Sequence, residues 1–399
     1  MRRKLLNIVV LFIIVSQVPF AYRRYRLRRL HNAIEQLASQ RVAPPTDSDY
    51  LDYQGAIHVH SSLGGHSSGT FAEIINAAKT DQLDFVVMTE HPQSEFDTSA
   101  MTLNGVHGGL LFINGNEVST SDADRLLMIP GPKDAASMSS RPTAKIVEEQ
   151  QQAGGVSFVA YPTDSQKWQA ASPNGIEIYN LFTNAQAANT LVLLFDGLWS
   201  YGAYPDLMFA NFFARPTENL RRWDEAINLS HQRIAAIAGN DAHANVGLSL
   251  NDSAGKQWLG IKLDPYERSF LVVHTHLLIK KEEGLTRDSL LGALAHGHCF
   301  VSFDIFASGK GFDFRVANDH AIMGDEVAFA EGMHLLVRAP LPCRIMLFKD
   351  GNQIEQKSGS EVEFSVVSKG TYRVEAYLES LTAPVTGQPW ILSNPIYVR

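Results

Sequence analysis

A chain of 399 residues with 45% hydrophobic and 19% charged residues has the size and composition of a globular enzyme, which excludes a disordered polypeptide. Its formal net charge of −8 argues against a nucleic-acid binder, which carries a basic face, while leaving room for a local basic pocket. Two cysteines, Cys299 and Cys343, form no CxxC or zinc-ribbon spacing and read as lone thiols in strands; a disulfide between them would need an oxidising compartment.

In chain order, the first element is the apolar run Leu5–Tyr22, whose 18 residues approach the length of a membrane-spanning helix. Arg2, Arg3 and Lys4 precede it, and Arg23, Arg24, Arg26, Arg28 and Arg29 follow it. Its end, VPFAYRR, offers no small-x-small cleavage site, so the run reads as an uncleaved single-pass anchor. Orientation stays open. The heavier downstream cluster would keep the body cytoplasmic by the positive-inside rule, whereas a signal anchor of this form would export it to the periplasm. Leu27, Leu30, Ile34 and Leu37 then keep helical spacing, as an amphipathic stem would, until Pro44 and Pro45 break it in a polar linker. The expected division is residues 1–45 for anchor, stem and linker, 46–310 for a catalytic domain and 311–399 for a C-terminal β domain.

From about Tyr50, short β-rich runs alternate with helical segments. GAIHVHS, LDFVVMTEH, LLFINGNEVS, VSFVAYP, GIEIYN and IAAIAGNDAH read as strands, and TFAEIINAAKTDQ and RPTAKIVEEQQQAGG as helices. That alternation predicts an α/β domain with parallel strands, either a barrel or an open sheet. Polar residues gather at the strands' C-terminal ends: His58 and His60, Glu90 and His91, Glu117, Tyr161, Asn180, then Asp241 and His243. Barrel active sites are built at that end. Beyond Gly311 long helices stop. HLLVRAP, RIMLFKDGNQIEQ, EVEFSVV, TYRVEAYL and NPIYVR are strands joined by turns, which predicts a small antiparallel β-sandwich.

The stretch GAIHVHSSLGGHSSGT carries His58, His60 and His66. With the period of two of a strand, His58 and His60 face one side and could chelate one ion. A second HxH pair, His274 and His276 in VVHTH, lies inside an apolar strand with no glycine turn after it and reads as structural. The first pair differs in its company. Imidazoles and carboxylates converging at strand ends suit zinc, iron or manganese, and two such ions could activate a hydroxide and hold a phosphoryl oxygen.

HVHSSLGGHSSGT, VVMTEH, GNEVS, AYP, GIEIYN and GNDAH stand in the order found in the PHP family, the polymerase-and-histidinol-phosphatase phosphoesterases, which the chain resembles over roughly 53–302. The remainder, closing in WILSNPIYVR, is similar to a C-terminal strand region of some bacterial members. The resemblance implies a distorted (β/α)7 barrel with a metal site that hydrolyses phosphate esters. It implies His58, His60, Glu117 and Asp241 as ligands of one ion, and His66, His91 and His243 as ligands of a second, with Asp241, His243 or His60 managing the proton. Three-metal members carry a histidine where this chain has Tyr161 in Ala160-Tyr161-Pro162, and another on the strand after the glutamate, where RLLMIPG has none. A phenol with an ordinary pKa of about 10 is a poor ligand, so two divalent ions are expected rather than three.

Around this centre, Asn180 and Tyr161 are candidates to line the substrate pocket, and Arg125 and Lys167 to bind phosphate. Glu90 reads equally as an orienter of a ligand histidine or a solvated strand-end acid, and Glu177 equally as structural. His107, His231, His296, His298, His320 and His334 read as surface or core histidines. The expected activity is hydrolysis of a small phosphomonoester or phosphodiester by a metal-activated hydroxide. Its partners would be that substrate and, through the N-terminal helix, a membrane, with neither nucleic acid nor an obligate protein partner. A membrane-anchored binding module that kept its metals and lost turnover is the alternative.

Overall fold

The computed structural model describes the chain except residues 1, 44–47, 166, 187–191, 193–194, 246, 252–256 and 263. The expected Pro44-Pro45 break, and with it the 45/46 boundary, lies outside the described residues. Helix α1 (Arg2–Ala38) is continuous from the apolar run into what the sequence suggests is a stem. Its second half is not a free stem, because Leu27, Leu30 and Leu37 are buried in the main core among residues such as Trp223, Phe303 and Phe306. The helical spacing read from the sequence is therefore the spacing of a core-facing stripe.

Two sheets organise the body. In the larger, thirteen-stranded sheet, β1 (Tyr50–Val59) lies between the antiparallel strand His274–Lys280 and the parallel β2 (Phe85–Met88), which pairs in turn with Leu110–Ile113. The second sheet orders Asn116–Ser119, Arg125–Ile129, Val156–Ala160, Gly175–Asn180 and Ala235–Gly239. Its first two pairings are antiparallel and its last two parallel. One apolar cluster draws on both sheets, with Ile57, Phe85 and Val87 from the first and Leu127, Phe158 and Ile237 from the second.

The α/β character is as expected, but the described strands do not close into the distorted (β/α)7 barrel that the resemblance implies. Among the described residues, the β-bridges that join the two sheets are two single parallel ones, Glu90 to Asn116 at one junction and Val59 to Ala242 at the other. Closure needs an uninterrupted ladder with constant stagger. Here β1 shifts register against β2 between Ile57 and Val59, and toward Ala235–Gly239 it is met by loop hydrogen bonds such as Asn240 N–H to Ile57 O, 2.8 Å. Beyond Gly311 the pairings are antiparallel as expected, with His334–Lys349 pairing with both Asn352–Ser365 and Gly370–Tyr377, except that the short Glu326–Val327 pairs parallel with Ile396–Val398. They continue the large sheet rather than standing apart as a sandwich, because Ile391–Ser393 bonds both Gly370–Tyr377 and Cys299–Ser302. Buried Arg373 reinforces the join, donating to Asp224 at 2.7 and 2.9 Å and to Glu375 at 2.7 Å. Cys299 and Cys343 are free and buried.

The second HxH pair is saturated by protein partners. His274 Nδ1 lies 2.9 Å from Asp304 and its Nε2 2.5 Å from Phe270 O, while His276 Nδ1 lies 2.7 Å from Asp52 and its Nε2 3.4 Å from Asp304. Asp52 sits on β1, so this buried charge cluster clamps β1 to its antiparallel neighbour. Burial would lower the His276 pKa, but the charges of Asp52 and Asp304 outweigh it and push it up to about 10 from 6.5. A group raised on folding stabilises the fold fully below its unfolded pKa, and that contribution fades as pH rises through the folded value. Stability should therefore decline between pH 6.5 and about 10. His276→Gln, leaving two buried carboxylates short of a cation, should cost about 3 kcal/mol at pH 6 and flatten that decline. Urea unfolding of both proteins at pH 6 and pH 9.5 measures this, and parallel profiles would refute the assignment.

Candidate metal centre

Three of the converging side chains stand on backbone that L-residues seldom adopt. His58, Tyr161 and Asp241 have φ of 68°, 52° and 46°, each where a strand ends or shifts register. Bulged or left-handed residues at strand ends re-aim side chains, and such conformations persist only where the surroundings enforce them. His58 and His60 thus converge through a bulge rather than through the regular alternation expected of β1, which ends at Val59.

The result is a buried knot of imidazoles and carboxylates. Glu117 Oε2 lies 3.3 Å from His58 Nε2, 3.5 Å from His60 Nε2 and 3.5 Å from His91 Nε2. Asp241 Oδ1 lies 3.5 Å from both His58 Nε2 and His60 Nε2 and 3.3 Å from His243 Nδ1. Among the described residues two triads here bring ligand atoms within 4.8 Å of one another, His58–His60–Asp241 and His60–His91–His243. His60 belongs to both, its ring stacked 4.6 Å from His91 and 4.3 Å from His243. The expected split gave His60 to one ion only. His66 joins neither triad; its ring stands 4.8 Å from that of His91, at the cavity wall.

These donors fit divalent cations. His58 Nε2, His60 Nε2 and Asp241 Oδ1 are buried without a hydrogen-bond partner, a loss that protein interiors seldom tolerate. A cation between them would use each lone pair. Burial depresses His60 to about 3 and His91 to about 4, so both imidazoles are neutral, as ligation requires. Burial works against the charge on Glu117 and Asp241, yet the nearby His58 holds both well below the usual carboxylate range. His58 itself, though buried, is held well above its ordinary value by the charges of Asp241 and Glu177. The fold concentrates negative charge that calls for a positive partner.

The knot forms the floor of an open cavity of about 1000 Å3. Arg125 lines it, half exposed, with Nη1 3.1 Å from Glu117 Oε1 and its guanidinium 5.6 Å above the Tyr161 ring. Tyr161 also lines it and donates to Asp241 Oδ2 at 2.6 Å; burial raises the phenol far above its ordinary value, so it remains a neutral donor. Asn180 is not at the wall. It is buried behind the ligands and donates to Asp241 Oδ2 at 3.1 Å and Glu177 Oε2 at 3.0 Å. Lys167, expected to bind phosphate, is turned away, exposed and paired with Asp122 at 3.5 Å. A long side chain after a strand carries no information about its direction. Glu90 is neither solvated nor a ligand orienter. It is fully buried and accepts from Ser61 N, Ser61 Oγ and Thr102 Oγ1, fixing the loop after His60.

The residue whose part the sequence leaves ambiguous is Glu177. Its Oε1 accepts from His58 Nδ1 at 2.7 Å, which leaves His58 Nε2 facing Glu117 and Asp241. Such carboxylate–histidine pairs fix ring orientation at metal sites. The signal lay in GNDAH, because Gly239 supplies the space: a Cβ there would fall 1.5 Å from Glu177 Oε1. Gly239→Ala should therefore cost about 1–3 kcal/mol through overpacking and weaken metal retention. Glu177→Ala in the same chain should remove the clash, so the double variant's unfolding free energy should exceed the additive expectation. Additive losses in a double-mutant cycle would disprove the steric link.

No family model and no curated protein matches the chain. Among solved structures, a proposed metal-dependent phosphoesterase from Bifidobacterium adolescentis is 12% identical over 50% of this chain and 89% of its own, with a TM-score of 0.28. An amidohydrolase from Chromobacterium violaceum, with bound sulfate and no metal, is 12% identical over 53% of this chain and 92% of its own, at 0.29. Over 88% of its own length and 98% of the other chain, this protein is similar, at 14% identity and a TM-score of 0.39, to a two-domain Bacteroides vulgatus protein containing a predicted PHP-like metal-dependent phosphoesterase.

Proposed function

We propose that the chain is a metal-dependent phosphoesterase of the PHP type, hydrolysing a small phosphomonoester or phosphodiester at a two-metal centre. The observation that carries the reading is the convergence of unpartnered buried His58 Nε2, His60 Nε2 and Asp241 Oδ1 beneath a cavity that also presents Arg125. His58, His60, Glu117 and Asp241 would hold one ion, and His91 and His243 with His60 the other, with His66 at the wall as a reserve ligand. Bound divalent ions would supply a nucleophile at neutral pH and offset charge on the phosphoryl oxygens.

The chain's own groups do the rest. Glu177 orients His58, and Asn180 and Tyr161 hold Asp241 by hydrogen bonds to Oδ2, leaving Oδ1 toward the imidazoles. Arg125 would grip a phosphoryl oxygen as a charge-assisted donor. Asp241 and His243, which line the cavity, would hold or deliver a proton at the leaving oxygen, whereas His60, expected to share that role, lies beneath them and is held neutral by burial. With Tyr161 engaged to Asp241 as a neutral phenol and no histidine in RLLMIPG, the donor set favours two ions over three. In this reading α1 anchors the enzyme in a membrane.

The test uses the full chain in mild detergent, because α1 contributes to the core. Elemental analysis should find about two ions per chain. Phosphomonoesters and phosphodiesters should be turned over with manganese, zinc or iron added and not after chelation. His58→Ala should lower kcat/KM by more than about 100-fold, since groups that merely orient a ligand already cost ~10–100-fold. Arg125→Ala should raise KM more than it lowers kcat. Bound metal without turnover of any ester would instead support the binding-module reading.

A further inference from the structure

The N-terminal helix and the body are fastened together from Gln17 onward, within the apolar run itself. From Leu5 to Val15 the helix projects freely, with Phe12 73% and Leu11 61% exposed. Contact with the body begins at Gln17, whose Oε1 accepts from Trp199 Nε1 at 2.9 Å. Phe20 packs on Phe195 with ring centroids 5.0 Å apart. Arg23 forks onto Asp196 at 2.7 and 2.8 Å, and Arg24 donates to Trp199 O at 2.6 Å.

Helix rise sets the consequence. At ~1.5 Å per residue the free stretch from Leu5 to Gln17 covers about 18 Å, against the ~30 Å hydrocarbon core of a bilayer. The whole apolar run to Tyr22 covers about 26 Å, so a spanning helix must use all of it. The residues from Gln17 to Tyr22 would then lie within the membrane, and the body segment pinned beside them must descend to the same depth.

That segment is composed for it. Leu198 is 73% exposed, and Trp199 and Tyr201 flank it, half-buried, while Tyr22 and Tyr25 are exposed on the adjoining turns of α1. Aromatic side chains of this kind concentrate at membrane interfaces. Arg28 and Arg29 follow on the helix, exposed and placed to meet anionic headgroups, and the one acid in the segment, Asp196, is neutralised by Arg23.

We propose that Asp196–Tyr201 is a second membrane-contact site, in which Leu198 enters the interfacial layer beside the helix and the arginines engage lipid phosphates. The proposal rests on α1 spanning the bilayer and is independent of the catalytic reading. It makes the body a rigidly seated membrane-surface domain rather than one on a flexible tether.

The test reconstitutes the full chain into vesicles of phosphatidylcholine and phosphatidylglycerol. Leu198→Cys carries an environment-sensitive fluorophore, and Leu229→Cys, at an exposed position on the helix Thr217–Ser230, serves as reference; the native thiols are buried. The probe at position 198 should shift to the blue. Lipids brominated near the headgroup should quench it at least about twofold more than the probe at 229. Co-flotation with vesicles while both probes report water would overturn the second contact and leave the anchor standing. Failure to co-float would overturn both.

Discussion

The structure depends on keeping three carboxylates, those of Glu117, Asp241 and Glu177, buried against imidazoles. Burying a charge without a partner costs several kcal/mol, so each of these groups constrains every other. The strained backbone at His58, Tyr161 and Asp241 follows from that constraint, since regular strand ends would not bring the three side chains together. The sheet geometry follows as well. The bulge that turns His58 inward also shifts the register of β1 against β2, beside the single bridge from Val59 to Ala242 that joins the two sheets.

Two histidine pairs with the same HxH pattern show how context decides chemistry. His274 and His276 have every ring nitrogen satisfied by a carboxylate or a carbonyl. In the other pair, both Nε2 atoms lack a hydrogen-bond partner, and the only nitrogen of the two rings with one is His58 Nδ1, held by Glu177. A charge cluster closed on itself stabilises a fold, whereas one left open toward a cavity is prepared for a ligand. The difference lies in Asp52 and Asp304 for one pair and in the cavity for the other.

Much of the candidate site is legible in the sequence, because strand ends expose clustering residue types in chain order, and His58, His60, His91, Glu117, Asp241 and His243 come together in the fold. What was not legible depends on direction. Asn180 and Lys167 follow strands as plausibly as Arg125 does, yet one is buried behind the ligands and the other points to Asp122. Sequence position fixes where a Cα lies, not where a long side chain goes. Glu177 was ambiguous because a strand of wholly buried residues shows no alternation, so period two could not say which face it serves. Barrel closure was illegible for a similar reason, because stagger between distant strands leaves no local trace. The helical spacing of the stem is present, but spacing alone could not show what it packs against, because a core-facing stripe and a free amphipathic helix have the same period.

That last ambiguity joins the two ends of the molecule's design. Leu27, Leu30 and Leu37 belong to the same core as Trp223, and Trp223 Nε1 donates to Ile234 O, next to the strand Ala235–Gly239. That strand ends in Gly239, which makes room for Glu177, and leads directly into Asp241 and His243. A helix that begins as an apolar rod thus ends as part of the packing beneath the candidate metal ligands. Close-packed interiors transmit displacement rather than absorb it. The N-terminal helix and the candidate site are therefore linked through one packed core, and removing the helix would strip a face from the core beneath the site.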